Sequence, residues 1–290
     1  MQPVPSNIIR RFLRWWMDPR YGSPWVHTSI AIDMTVALAY LDRLNADEDA
    51  PRVTLNHLVT ASIGRILDRY PVANRRLIGN KLFQAPNVGV AAPVNLLDTS
   101  QAGKMEVTMV TFRRVDAKSL REIAGGSRKA VAAERAGQTT EPMARWMIQL
   151  AEVMPERGMH LGLSLAAKVM DQPALAGLSW KIAPVSAALS NPGSAFPPIE
   201  GVLLRGGGFH IPTRLMHVGT LWGLSVIQEE VIPIAGQPAV RPMLPVVLVF
   251  DHRLFDGVMA SRILSDFSRL LLDPEGTFGE EGSRTGGSSS

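Results

Sequence analysis

Residues 246–264, VVLVFDHRLFDGVMASRIL, run from five consecutive apolar residues into a charged trio and out again into a helical pattern. With the preceding Pro-Met-Leu-Pro, the apolar run lacks period-two alternation, which predicts a central strand over 242–250 covered on both faces. Met259, Ile263, Phe267 and Leu271 recur at steps of four and place a helix directly after it. His252 therefore stands at the C-terminal end of a buried strand, where loops of α/β folds gather ligands. Packing between two apolar elements poorly explains Asp251-His252-Arg253, and Gly257 allows a tight backbone at the turn.

Three kinds of chemistry compete for this histidine. A metal centre has no support: His27, His57, His160, His210 and His217 show no ligand spacing such as His-x-x-x-His, and the chain has no cysteine. A Ser-His-Asp hydrolase lacks its Gly-x-Ser-x-Gly elbow. General-base work by one imidazole, with an ordinary pKa near neutrality, remains, set against a purely structural histidine.

With 290 residues, 46% hydrophobic and 19% charged, the chain has apolar material for a sizeable core. No composition break divides it, which predicts one α/β domain. The formal net charge of +4 suits anionic small molecules, and no block of like charge reads as a nucleic-acid tail. There is no N-terminal apolar leader and no run of about 18 apolar residues, so a cytoplasmic location is expected.

Helices are predicted over 6–17, 37–45, 54–70 and 116–137, the last weakened at Gly125-Gly126. Strands are predicted over 26–36, 88–96, 104–115, 180–190, 214–227 and 230–235. Residues 141–170 read as two amphipathic helices joined near Pro155–Gly158 and hold five of the 13 methionines. This hairpin and the aromatic helix 6–17 are expected to pack on the core. Peripheral membrane contact would require their apolar stripes to face outward. The Gly/Ser-rich residues 279–290 predict a disordered tail.

DHRLFDGVMASRIL also resembles the active-site stretch of the acyltransferase component of 2-oxoacid dehydrogenase complexes. That family shares its fold with chloramphenicol acetyltransferase. Other blocks resemble the family in its own order over roughly residues 8–275. IRRFLRWWM is similar to its N-terminal helix and places Arg10 at the family's arginine. TLNHLVTASIGRILDRYPVANRRL is similar to its long helix, with Pro71 and Asn74 in the motif that ends it. PNVGVAAPV resembles a family strand, and ALSNPGS a family turn.

The resemblance implies a chloramphenicol acetyltransferase-like mixed β-sheet flanked by helices, in a homotrimer whose active site lies between subunits. It implies that His252 takes a proton from the thiol of coenzyme A or dihydrolipoamide, and that Ser190 donates to the oxyanion. Asp256 would brace the loop by pairing with an arginine, for which Arg10 is the candidate, and Gly257 would be the turn glycine. The substrates implied are acyl-CoA or lipoyl-type thioesters, and the partners oxoacid dehydrogenase subunits. No residue is assigned to the coenzyme A phosphates; Arg205, Arg214 and Lys181 are candidates by sign alone.

The chain also departs from the family pattern. It has no Asp-Lys-Ala lipoylation site, its connection over 137–180 is longer and forms a helical insertion, and a polar tail replaces an apolar C-terminus. A catalytic domain over 1–278 and a trimer without a larger cage are expected. A catalytically silent trimeric scaffold and a lipid-associated long-chain acyltransferase are the rival readings. The joint presence of His252 and Ser190 favours an enzyme, since a scaffold needs neither.

Overall fold

The computed structural model describes residues 1–5, 23–95, 107–138, 141, 145, 146, 149, 153–197, 199–207 and 216–285. The predicted helix 6–17, Arg10, Arg214 and most of the first half of the 141–170 hairpin fall outside them. Ten strands are described: β1 (Gln2–Val4), β2 (Trp25–Asp33), β3 (Arg75–Ile78), β4 (Lys81–Gln84), β5 (Val90–Asn95), β6 (Val107–Phe112), β7 (Ala187–Ser190), β8 (Thr220–Leu224), β9 (Gln228–Ile234) and β10 (Gln237–Asp251). The helices are α1 (Thr35–Leu44), α2 (Leu55–Arg69), α3 (Leu120–Arg135), α4 (Glu156–Met170), α5 (Ala176–Ile182), α6 (Gly257–Leu272) and α7 (Pro274–Phe278).

The apolar run becomes the inner strand of a seven-stranded mixed sheet in the order β2-β10-β8-β7-β5-β6, with β9 paired to the first half of β10. β10 is antiparallel to both β2 and β8, and β7 lies parallel to β5 and β8. Residues 243–251 are buried throughout. Leu244, Val246, Leu248 and Phe250 join the large core beneath α1, α2 and α6, while Val247 and Val249 join a second cluster with Leu221 and Val218 on the other face. Two buried faces are the reason the run shows no alternation. β2, with one neighbour and a half-exposed face, does alternate.

α6 buries Ala260, Ile263, Leu264, Phe267 and Leu271, and Phe267 tilts against Trp222 of β8 with ring centroids 4.6 Å apart. α3 runs unbroken through Gly125-Gly126, capped by Ser119 and Glu122. The expected strands over 180–190 and 214–227 are shortened. Trp180–Ile182 belong to α5, and Pro184 stops that helix, so extended pairing begins only at Ala187. His217 has φ 48, a left-handed backbone no strand can use, and β8 starts at Thr220. A second sheet, β1-β4-β3, was not expected; its hairpin turns at Gly79, with φ 57, and Asn80.

The helical insertion is clipped to the core at two points. Asp171, just after α4, accepts from the Gly79 amide at 2.7 Å and lies 3.2 Å from His217 Nε2. Arg76 of β3 is fully buried, donates to the carbonyls of Ala183 and Val185, and lies over the Trp180 ring at 4.5 Å. Burial lowers its pKa to about 9, so it stays cationic near neutrality. Residues 279–285 correct the expected disordered tail. Tyr40 donates to the Gly279 carbonyl, Arg121 to that of Glu281 and Arg65 to that of Arg284. These side-chain donors hold a backbone whose composition alone offers no core.

At the start of α2 the Thr54 amide donates to His57 Nδ1 at 3.1 Å. Burial lowers the His57 pKa to about 4. Between the ordinary value of 6.5 and 4 the unfolded chain binds a proton that the folded chain refuses, so stability falls as pH drops through that window. His57→Gln offers the same amide an acceptor without titrating. Urea midpoints at pH 7 and pH 5 should show the wild type losing on the order of 1 kcal/mol more than this variant.

Candidate active site at the end of the central strand

β10 delivers His252 one residue past its last ladder position, and the backbone is held there: the His252 amide donates to the Pro24 carbonyl at 2.9 Å. The half-buried imidazole lies 6.1 Å from the Phe250 ring at an interplanar angle of 26°, and Phe250 stacks on Phe255 at 4.6 Å. Both phenylalanines are fully buried, so the histidine rests on a rigid aromatic floor.

The neighbouring charges have local partners. Arg253 grips Asp251 through Nε at 2.9 Å and Nη2 at 2.7 Å, and the Arg253 amide donates to the same carboxylate. Asp251 is 3% exposed, so this bidentate pair is what makes a buried carboxylate tolerable. The expectation that packing leaves the whole trio unexplained is corrected for Asp251 and Arg253. His252 retains the functional reading.

Asp256 is the N-cap of α6, with its carboxylate accepting the Met259 amide at 2.9 Å. Arg10, its expected partner, lies outside the described residues. Gly257 is the first helical residue, is exposed, and a Cβ there meets nothing within 4 Å. The expected need for a tight glycine turn is corrected, because the chain turns on the Asp256 cap and not on a special φ.

Ser190 is half-buried at the last position of β7 and opposite Gly223. The bend after it is fixed by Asn191, which accepts from the Ser194 amide at 3.2 Å and donates to Asn56 Oδ1 of α2 at 2.7 Å. Gly193 lies on the β8 exit: a Cβ there would stand 2.1 Å from the Ser225 carbonyl carbon and the Val226 nitrogen. The Asn-Pro-Gly sequence signals the bend, whereas the tie to Asn56, 135 residues away, has no local signal.

His252 and Ser190 are not brought together within one chain. Ser190 pairs with Gly223, and Gly223 with Val247, so the serine is two strands across from Val247. His252 stands five residues beyond Val247 along β10, toward the Thr220 end of β8, while Ser190 is at the Leu224 end. At about 3.3 Å per residue and about 4.8 Å per strand, their backbones are roughly 19 Å apart, beyond the reach of both side chains. Of the cations considered for phosphate, Arg205 is paired with Glu230 at 2.7 Å and Lys181 is exposed on α5.

Two glycine substitutions test this geometry. Gly193→Ala should cost about 2–3 kcal/mol or more and displace the Ser190 bend, because backbone on β8 cannot yield as a flexible side chain would. Gly257→Ala should be neutral or stabilise by up to about 1 kcal/mol. Thermal or urea unfolding of the two variants checks both.

Residues 218–278, which hold β8, β9, β10, His252 and α6, match the model of the 2-oxoacid dehydrogenases acyltransferase catalytic domain. The dihydrolipoyllysine-residue succinyltransferase component of the 2-oxoglutarate dehydrogenase complex of Buchnera aphidicola is 38% identical over 58 residues, covering 18% of this chain and 14% of that protein. The chain thus matches only about a seventh of that relative's length. The fold likeness extends much further. The cubic core of the pyruvate dehydrogenase multienzyme complex superposes with a TM-score of 0.61 at 18% identity, covering 95% of this chain and 93% of that one. Dihydrolipoamide acetyltransferase of Azotobacter vinelandii superposes with a TM-score of 0.60, also at 18% identity and with the same coverage. That structure belongs to a crystallographic and enzymatic investigation of a serine, a histidine and an asparagine in its catalytic mechanism. The sequence likeness to the acyltransferase catalytic domain is thus confined to residues 218–278, whereas the likeness in fold to the cubic core runs over nearly the whole chain.

Proposed function

We propose that this protein is an acyltransferase that moves an acyl group from a thioester such as acyl-CoA to a thiol, hydroxyl or amine acceptor. The observation that carries the mechanism is the separation of His252 and Ser190 by roughly 19 Å of sheet within one chain. Each residue is nevertheless fixed in place, one by the Pro24 carbonyl and the aromatic floor, the other by the Asn191–Asn56 bond. A site built from both needs the Ser190 end of one chain against the His252 end of another. Such a head-to-tail contact closes into a ring, and a trimer satisfies it.

In this site the His252 imidazole takes the proton of the incoming thiol, and the sulfur attacks the acyl carbonyl carbon as the C=O electrons move onto oxygen. The Ser190 hydroxyl of the neighbouring chain donates a hydrogen bond to that oxyanion. When the carbonyl re-forms, the leaving thiolate departs and takes the proton back from the imidazolium. Asp256 handles no proton; it stands four residues after His252 and caps the helix behind it. The histidine and asparagine investigated in the catalytic mechanism of the Azotobacter vinelandii enzyme are also four residues apart.

His252→Ala and Ser190→Ala should each lower acyl-CoA turnover, the first by about 10²–10⁴-fold, without changing the size of the oligomer. Co-expressed as a mixture, the two inactive chains should recover about a quarter of wild-type turnover, the share of head-to-tail contacts that pair an intact His252 with an intact Ser190. Recovery of nothing would sink the shared site. Full activity in His252→Ala alone would sink the base role, whereas absence of acyl-CoA turnover in the wild type would favour a silent scaffold.

A further inference from the structure

α4 is unlike the other long helices, because Met170 is its only buried residue. Its inner side carries Met159 and Leu163, both partly buried. Its outer side carries Leu161, Leu165 and Val169 at steps of four, which are 73%, 62% and 45% exposed. For α4 this meets the condition set above for lipid contact, since packing on the core would have covered the stripe; helix 6–17, of which the same was asked, lies outside the described residues.

Charge identifies the occupant. Arg157 stands four residues before Leu161 on the same line of the helix, and Lys168 flanks Val169; both are exposed. No carboxylate of α4 lies on this line. Glu156, 3.9 Å from His160, stands on the neighbouring line that also carries Lys168, so along the whole helix Arg157 and Lys168 outnumber a single carboxylate. A second copy of the helix laid antiparallel on this face would set Arg157 against Lys168, like against like. The stripe is also wholly aliphatic, with no central aromatic residue of the kind that anchors protein interfaces. An anionic bilayer surface meets both features at once: aliphatic side chains enter the headgroup–acyl boundary, and the two long cationic side chains reach lipid phosphates. No described helix is long and apolar enough to cross a membrane, and α4, with 15 residues, is too short to span one.

We propose that α4 docks this protein on anionic membrane surfaces through Leu161, Leu165 and Val169, with Arg157 and Lys168 on the phosphates. The inference does not depend on the catalytic reading. It is tested by flotation of the full chain with vesicles of phosphatidylcholine and phosphatidylglycerol in equal parts, and with phosphatidylcholine alone. The wild type should float with the mixed vesicles, bind less in high salt, and stay behind with the neutral ones. Leu161→Glu/Leu165→Glu and Arg157→Gln/Lys168→Gln should each weaken binding about tenfold or more. Val231→Glu, on an equally exposed position of β9, should float like the wild type. The charge-neutralising pair alters only surface atoms, so it decides the matter even if the glutamate pair misfolds. Failure of the wild type to float on anionic vesicles overturns the proposal. So does undiminished binding by the folded variants, or a change of oligomer size in Leu161→Glu/Leu165→Glu, which would make the stripe a protein interface.

Discussion

The pairing of β10 with β2 on one side and β8 on the other is the constraint from which the rest of the molecule follows. Nine consecutive residues, Met243 to Asp251, are matched one for one against Asp33 to Trp25, and five of them also against β8. Because both faces are buried, a slip of one residue would exchange the sets of side chains beneath the helices and against the opposite cluster. The register is therefore fixed by packing, and with it the point at which the chain leaves the sheet and presents His252. The same ladder, continued through β8 to β7, places Ser190 at the far end.

Around that exit point the chain resolves its polar groups locally. Asp251 and Arg253 neutralise one another, Asp256 satisfies the first turn of α6, and the Pro24 carbonyl takes up the His252 amide. The imidazole itself stands half-buried over the Phe250 and Phe255 rings. The serine bend is built differently, from a glycine pressed on backbone and an amide–amide bond to a distant helix. One half of the site is thus secured by a strand, the other by a helix, which suits components that meet across a boundary between chains.

Much of this was legible in the amino-acid pattern, and the exceptions have physical causes. The central strand, α2 and α6 announce themselves because burial on two faces, or on one stripe, writes a period into the sequence. Trp180–Ile182 mislead because three apolar residues among the four before a proline fit a strand as well as a short helix, and the buried contact with Arg76 decides between them. The β3–β4 hairpin carries a Gly-Asn turn signal, but its flanking runs, Arg75–Ile78 and Lys81–Gln84, show no polar–apolar alternation that would mark them as strands. His252 was found because a titratable residue between apolar elements is conspicuous. The Asn56–Asn191 bond and the distance between His252 and Ser190 were not, since both depend on strand order, which no local window contains. Gly257 shows the opposite failure: a glycine in a motif invites a steric explanation that open space around it removes.

The Arg76 guanidinium gives the insertion an unusual tolerance. Its bonds go to carbonyls that follow α5, so the chain re-enters the sheet from a fixed post whatever the helices before it are doing. The chain is thus held at Ala183 and Val185 directly before it enters β7, downstream of every helix of the insertion. An exit moored in this way leaves the outer helices room to diversify while the bend after Ser190 keeps its place.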